Sequence, residues 1–220
     1  MTKQDRALRT RTALIRAAAT EFERSGYAGA SMHQITRTAG MSTGALTFHF
    51  DSKGDVADAV VERARGVVGA VLDDVRTRTE DRPPMERLGA LVVALARTVY
   101  EDVEVRGAAR LEQERPDEGP TWSTDWYPAV CHLAGQAHSA GDTPATARPG
   151  LVAALAALFI RSADTYRRTQ HPAADGSLEE FVLLWAMAQR GILAADPGPC
   201  AHPSRAARNA SSAMPGVASR

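Results

Sequence analysis

The chain is poor in several residue types, and each shortage removes a class of explanation. Cys131 and Cys200 are its only cysteines, far apart and outside any C-x-x-C pattern. That excludes a disulfide-stapled scaffold and fits a reducing compartment. Lys3 and Lys53 are the only lysines, and every other basic residue is arginine, a bias that fits a GC-rich genome better than a chemistry. Aromatics make up 5% of the 220 residues, and runs alternating with period two are nearly absent, which argues against sheets. The longest apolar run, residues 151–160, falls well short of the ~20 residues that cross a bilayer. The N-terminus is charged and has no apolar core of a secretion signal, so a cytoplasmic location is expected. No G-x-S-x-G, H-E-x-x-H or phosphate loop occurs. Cys131 adjoins His132, but His138 lies six residues beyond it, off the i, i+4 spacing of paired helical metal ligands. An enzyme is not expected, nor a metal or cofactor.

What is present is helix-forming. Nearly half the chain is apolar (44%), enough for a core, and an all-α fold of one or two domains is expected. Ile15, Ala18, Ala19 and Phe22 stripe a first helix over residues 7–25, ended by Gly26 as a left-handed cap. Ser31 with Gln34 reads as a capping box for a short second helix. A turn at 39–41 precedes a short third helix, capped by Ser42 or Thr43 and running to about His49. A long fourth helix starts at 51–53, with Val56, Val60, Ala64, Val67, Val71 and Val75 on one face. After Pro83-Pro84, Leu88, Leu91, Val92, Leu95 and Val99 mark a fifth, and residues 103–114 a sixth. Trp122, Trp126, Val130, Leu133 and Ala137 share one helical face, which Pro128 permits only in a first turn or at a kink. The last two helices, over 150–170 and 177–194, carry stripes at Leu151, Ala154, Leu155, Leu158 and at Phe181, Leu184, Trp185, Ala188. Residues 196–220 lack periodicity and read as a disordered tail. The chain thus divides into a head at 1–52, a helical body at 53–195 and the tail.

Charge is unevenly placed although the chain is formally neutral. Through Lys53 eight basic residues face four acidic ones, and the rest carries the balancing acidic surplus. A basic head points to a polyanion, an ordinary solvated helix face being the alternative. The stretch "GMSTGALTFHFDSKGD", residues 40–55, gives the head a form. Two short helices joined by a glycine turn, after a basic amphipathic helix, make a helix-turn-helix unit. Its second helix would enter a DNA major groove with its N-terminal residues on base edges. Gly40 supplies the turn conformation that a Cβ penalises. Ser42 and Thr43 are short, so their hydroxyls and the backbone N–H groups can reach phosphates or bases, and Gly44 permits close approach. Leu46 and Phe50 should turn inward. Phe48 either holds the head together or flanks the DNA backbone. Lys53, poorly placed for the helix dipole, is assigned to a phosphate.

"ITRTAGMSTGALTFHFDSK" resembles the DNA-binding signature of TetR-family transcriptional repressors: a helix, Ala-Gly, a small hydroxyl residue, Gly, aromatic-His-Phe, then Ser-Lys. The resemblance implies a DNA-reading set of Ser31, Ser42, Thr43, Gly44, Thr47, Phe48, His49 and Lys53, acting on a double-stranded operator. Thr47 stands where the family usually has a phosphate-touching Tyr, and Gly54 replaces a usual Glu. Further on, "EDVEVRGAARLEQE", "GPTWSTDWYPAV" and "LAGQAHSAGD" look like the γ-butyrolactone receptor branch, whose members place a Trp over a ligand pocket. Trp126, then Trp122, are the choices for that Trp, with Leu88, Val92, Leu95, Phe159 and Ala163 as further lining; a core Trp is the alternative. Arg161 and Asp164 replace the branch's Gly and Gln, which favours either a polar ligand or a surface ion pair. The effector would be a small lactone, an antibiotic or a pathway intermediate. The resemblance also implies a homodimer through Leu155, Leu158, Phe181, Leu184, Trp185 and Ala188. The competing reading is a ligand-independent DNA-binding architectural protein.

Overall fold

A computed structural model describes residues 2–115, 119–169 and 178–194. The described residues form nine helices and no strand. They are α1 (Lys3–Gly29), α2 (Met32–Ala39), α3 (Thr43–His49), α4 (Lys53–Arg78), α5 (Pro84–Glu101), α6 (Val103–Glu114), α7 (Trp126–Ser139), α8 (Pro149–Thr169) and α9 (Leu178–Ala194). The expected tail and Cys200 lie outside the described residues.

Hydroxyl and carboxylate caps set the helix starts. Thr2, Ser31, Ser42 and Ser52 each accept the N–H three residues on, and Asp102 does the same for α6. Each such cap contributes about 1 kcal/mol. Ser52 and Asp55 form a full reciprocal box. Ser31 and Gln34 do not: the Ser31 hydroxyl donates to Gln34 Oε1 at 2.7 Å, where a box would have the Ser31 N–H. Gly40 closes α2 in the left-handed conformation, φ 65°. Gly26 also has a positive φ, 71°, but its ψ of 176° breaks α1 rather than capping it, and one more turn follows to Gly29. Pro128 sits in the first turn of α7, where its missing N–H costs nothing. Trp122 lies outside that helix, in the turn before it.

One continuous core runs from Leu14 in α1 to Trp185 in α9. Helix α6 lies along α1 and α4, α5 packs on α7 and α8, and α9 closes over α5 and α8. Gly107 of α6 lies against Ala19 of α1, where a Cβ on Gly107 would fall 2.8 Å from the Ala19 carbonyl oxygen. The face of α8 turned to this core is small-residue: Val152, Ala153, Ala156, Ala157, Ile160 and Ala163. The leucine stripe foreseen for α8 lies on the other side, with Leu151, Leu155 and Leu158 exposed.

Candidate functional site

The second and third helices are held as a unit from below. Glu21 of α1, 1% exposed, accepts from the Thr38 hydroxyl and from Arg24, both at 2.5 Å. A buried carboxylate so paired locks α2 onto α1. Leu46 is fully buried and Phe50 nearly so, and each burial contributes about 1.5–3 kcal/mol. These anchors fix which side of α3 faces out. Ser42, Thr43, Gly44, Thr47 and Phe48 are exposed together, Phe48 to 80%. His49 is half-buried, edge-on to Phe48 at 5.1 Å and tilted toward Phe50 at 6.4 Å. Phe48 therefore does not hold the head together; Phe50 does. Ser31 is exposed but its hydroxyl is engaged in capping.

Two residues foreseen for DNA have other partners. The Thr47 hydroxyl donates back to its own helix, to the carbonyls of Thr43 and Gly44 at 3.2 and 3.3 Å. The Lys53 ammonium sits on the carbonyls of Tyr27 and Ala30, at 2.8 and 3.1 Å, and over the Tyr27 ring at 4.3 Å. It thereby satisfies carbonyls where the last turn of α1 ends, which resolves the apparent conflict with the dipole of α4. An ammonium has three N–H groups, so at most one remains for a phosphate.

The foreseen ligand lining is mostly solid core. Trp126, Leu88, Val92, Leu95 and Ala163 are all fully buried. Phe159 packs as a tilted ring against Phe181 at 4.3 Å and Trp185 at 5.4 Å, joining α8 to α9. Phe181 and Trp185 are correspondingly buried within the protomer, so neither belongs to an intersubunit surface. Ala188 is half-buried, and of the foreseen interface only Leu155, Leu158 and Leu184 are exposed. Trp122 alone of the pocket residues opens on a cavity. It lines a cleft of about 370 Å³ between α1, α6 and α8, together with Arg161 and Asp164. A smaller groove of about 200 Å³, mostly apolar, lies between α4, α5 and α7.

The ion-pair alternative for Arg161 and Asp164 is what the structure shows, Arg161 on Glu112 and Asp164 within a charged hub whose other members sequence spacing did not indicate. Glu23 of α1 accepts from Arg106 of α6 at 3.0 Å and from Arg167 of α8 at 2.6 Å. Asp164 takes Arg167 and Arg168 at 2.9 and 2.7 Å. At the far end of α6, the Glu114 carboxylate accepts the Tyr27 N–H at 2.6 Å, just after the Gly26 break. Arg65 of α4 grips Asp125 with two hydrogen bonds, 2.7 and 3.1 Å, which holds the Asp125 carboxyl below its ordinary range.

Among the described residues, whose elements are all helices, a short outward-facing helix after a glycine turn has the form of a helix-turn-helix unit. Residues 14–60 match the family described as "Bacterial regulatory proteins, tetR family". That match covers the head of the chain, and the chain as a whole is similar to solved γ-butyrolactone receptors. It is 40% identical over 68 residues to the A-factor receptor protein of Streptomyces griseus, a match covering 31% of this chain and 25% of that receptor. The similar region thus spans about a quarter of the curated relative's length. A solved γ-butyrolactone receptor, described as ArpA-like, is 26% identical and covers 84% of this chain and 98% of its own, with a TM-score of 0.63. The TetR-family protein CprB from S. coelicolor is also 26% identical over 84% of this chain and 90% of its own, with a TM-score of 0.66. Among the described residues no helix is long and apolar enough to cross a membrane.

Proposed function

We propose that the chain is a homodimeric repressor that reads a palindromic operator through α3 and is released by a small-molecule effector. Residues 1–52 read the DNA, and the helical body after them holds partner and effector. The observation that carries this reading is the shared exposure of Ser42, Thr43, Gly44, Thr47 and Phe48 on a helix anchored by Leu46 and Phe50. Short hydroxyls at the helix start suit phosphate and base contacts, and an exposed Phe suits a thymine methyl or a sugar.

The dimer is supported by a second exposed surface. Leu151 and Leu158 of α8 and Leu183 and Met187 of α9 are each more than 60% exposed, beside Leu155 and Leu184. A second copy meeting this face through its own would form a four-helix, two-fold contact. The recognition helices would then lie roughly 34 Å, one DNA turn, or a multiple apart. An effector acts by favouring the state whose spacing mismatches the operator, for which a coupling of ~1–3 kcal/mol is typical.

Selecting bound duplexes from a random pool, then screening lactones, antibiotics and pathway intermediates for release of the winner, tests both halves. The expected winner is a palindrome. A non-palindromic winner, or no enrichment, would sink the operator reading. The dense packing around Trp126, Leu88, Val92 and Leu95 favours a second reading, ligand-independent DNA binding, which stands if no compound releases the DNA.

A further inference from the structure

We propose that Glu23 is a positioning residue that sets the half-site spacing the protein reads, by tying the DNA-reading head to the C-terminal end of α8. The inference rests on the dimer and operator reading above and names what fixes the distance between the two recognition helices.

In a two-fold dimer that distance follows from where α3 stands relative to the dimer face within each protomer. The exposed leucines of that face lie on α8, at Leu151, Leu155 and Leu158. The main helix neighbours of α8 are α5, α7 and α9, and those of α1 are α6, α2, α4 and α3. Head and α8 thus meet through side chains, at Glu23. Its Oε1 accepts from Arg167 and Arg168 of α8 at 2.6 and 3.5 Å, and from Arg106 of α6 at 3.0 Å. The Glu23 carbonyl takes Arg168 as well, at 3.4 Å. Each arginine is held from behind. Asp164 accepts from Arg167 at 2.9 Å and from Arg168 at 2.7 Å. Arg106 gives Nη1 to the carbonyls of Val99 and Tyr100 in the last turn of α5, at 3.4 and 2.8 Å. A planar guanidinium so pinned offers its remaining N–H groups in fixed directions. The Arg106 and Glu23 side chains are only 11% and 14% exposed, so solvent screens this tie far less than a surface pair.

The tie reaches α3 by a short path. Glu23 lies two residues past Glu21, whose carboxylate holds Thr38 of α2, and α1 packs directly on α2 and α3. The other path from head to body runs along α4, 26 residues and about 39 Å long, and long helices bend. From Leu158 to Arg167 α8 rises only about 14 Å, so one rigid helix carries the dimer face at one end and the grip on α1 at the other. The head cannot swing on α4 without breaking charge-assisted hydrogen bonds, each about tenfold or more in an equilibrium. One base pair more or less shifts a half-site by about 3.4 Å and turns it by about 35°, so a swing is what a misspaced operator demands.

Fluorescence anisotropy of the full chain on the selected palindrome, and on versions with one base pair inserted or removed at the dyad, tests the proposal. The quantity read is the ratio of affinities, in which general changes of head charge cancel. The wild type is expected to lose about tenfold or more on misspaced duplexes, the effect of one such bond. Glu23→Gln and Arg167→Gln should each cut that loss to about threefold or less, although the first removes a negative charge and the second a positive one. Arg161→Gln is the control: it breaks a tie from α8 to Glu112 of α6 and should keep the wild-type ratio. Should either hub variant fail to fold, Arg168→Gln, at the most exposed arginine on Glu23, should give an intermediate ratio. A wild type indifferent to spacing, hub variants that keep its ratio, or an Arg161→Gln that relaxes it equally overturns the proposal. A monomer by light scattering, or a non-palindromic winner, takes down the dimer and operator reading and this inference with it. A dimer on a palindrome whose spacing ratio ignores Glu23 takes down this inference alone.

Discussion

Gly107→Ala is the most informative single change in the molecule. The added Cβ would lie 2.8 Å from the carbonyl oxygen of Ala19, 2.9 Å from its Cα and 3.1 Å from its Cβ. Ordinary carbon contacts lie at about 3.5–4.0 Å, so α6 and α1 must part by roughly 0.5–1 Å. No rotamer relieves the overlap, because the obstructing atoms are mostly backbone. The cost falls in the upper part of the usual overpacking range, about 2–3 kcal/mol. Alanine returns about 1 kcal/mol in helix propensity. The net loss is about 1–2 kcal/mol, which lowers Tm by roughly 2–8 °C for a chain of this size. Gly66→Ala is the control: it lies on an exposed face of α4 with nothing within 4 Å of the new Cβ. There the same substitution should raise stability by about 0.5–1 kcal/mol. Operator affinity should fall with Gly107→Ala and hold with Gly66→Ala, because only the first moves α1. Thermal melts and fluorescence anisotropy on a selected duplex read both effects. If Gly107→Ala melts at or above the wild type, α1 and α6 are not in backbone contact and the reasoning fails.

Lys53→Met removes the ammonium from two carbonyls while keeping most of its apolar stem. It should cost about 1–3 kcal/mol in stability and leave the salt dependence of DNA binding nearly unchanged; an unaltered melt with a slope reduced by about one unit would restore Lys53 to a phosphate. Thr47→Tyr replaces a hydroxyl turned onto its own helix by one with reach, and should tighten binding to all duplexes in a mobility-shift titration. Unchanged or weaker binding would show that no phosphate lies within that reach. Asp125 has a lowered folded pKa, so its stabilisation is present above the unfolded value and lost as pH falls through the folded one. Asp125→Asn should therefore cost up to about 1 kcal/mol near neutral pH. In melts well below the ordinary aspartate value of about 3.9, variant and wild type should converge; a constant gap would assign the loss to something other than the Arg65 pair. Leu158→Lys places a charge in the exposed face of α8 and should turn the dimer into a monomer by light scattering, whereas a persistent dimer would place the interface elsewhere.

Local signals in the sequence carried the helices further than the site. The start of α4 at Ser52-Lys53 and the span of α6 follow from caps and spacing that one segment contains by itself. Trp122 was misplaced onto α7 because an i, i+4 spacing to Trp126 satisfies a helical period even across a turn. On α8 the period was correct but the face ambiguous: leucines and alanines form two apolar stripes, and the alanines take the core because α5 and α7 approach closely. Phe181 and Trp185 stood in one apolar stripe with Leu184, and only packing against Phe159 separates core from interface. Glu23 with Arg106 and Arg167 lay beyond reach for a different reason. Its partners are 83 and 144 residues away, and a charged residue in a helix shows no period that names its partner.

For a chimera, the simplest place to join two chains is the junction at Lys53, where the helix-turn-helix head meets the long helix α4. The arrangement of α6 makes that junction a poor place to cut. The Glu114 carboxylate holds the amide freed by the break at Gly26, and the bare surface of Gly107 accommodates the backbone at Ala19. A head joined to a foreign body would meet a helix shaped for another head. The portable unit therefore ends after Glu114, and chimeras that exchange operator specificity should carry α6 along with the head.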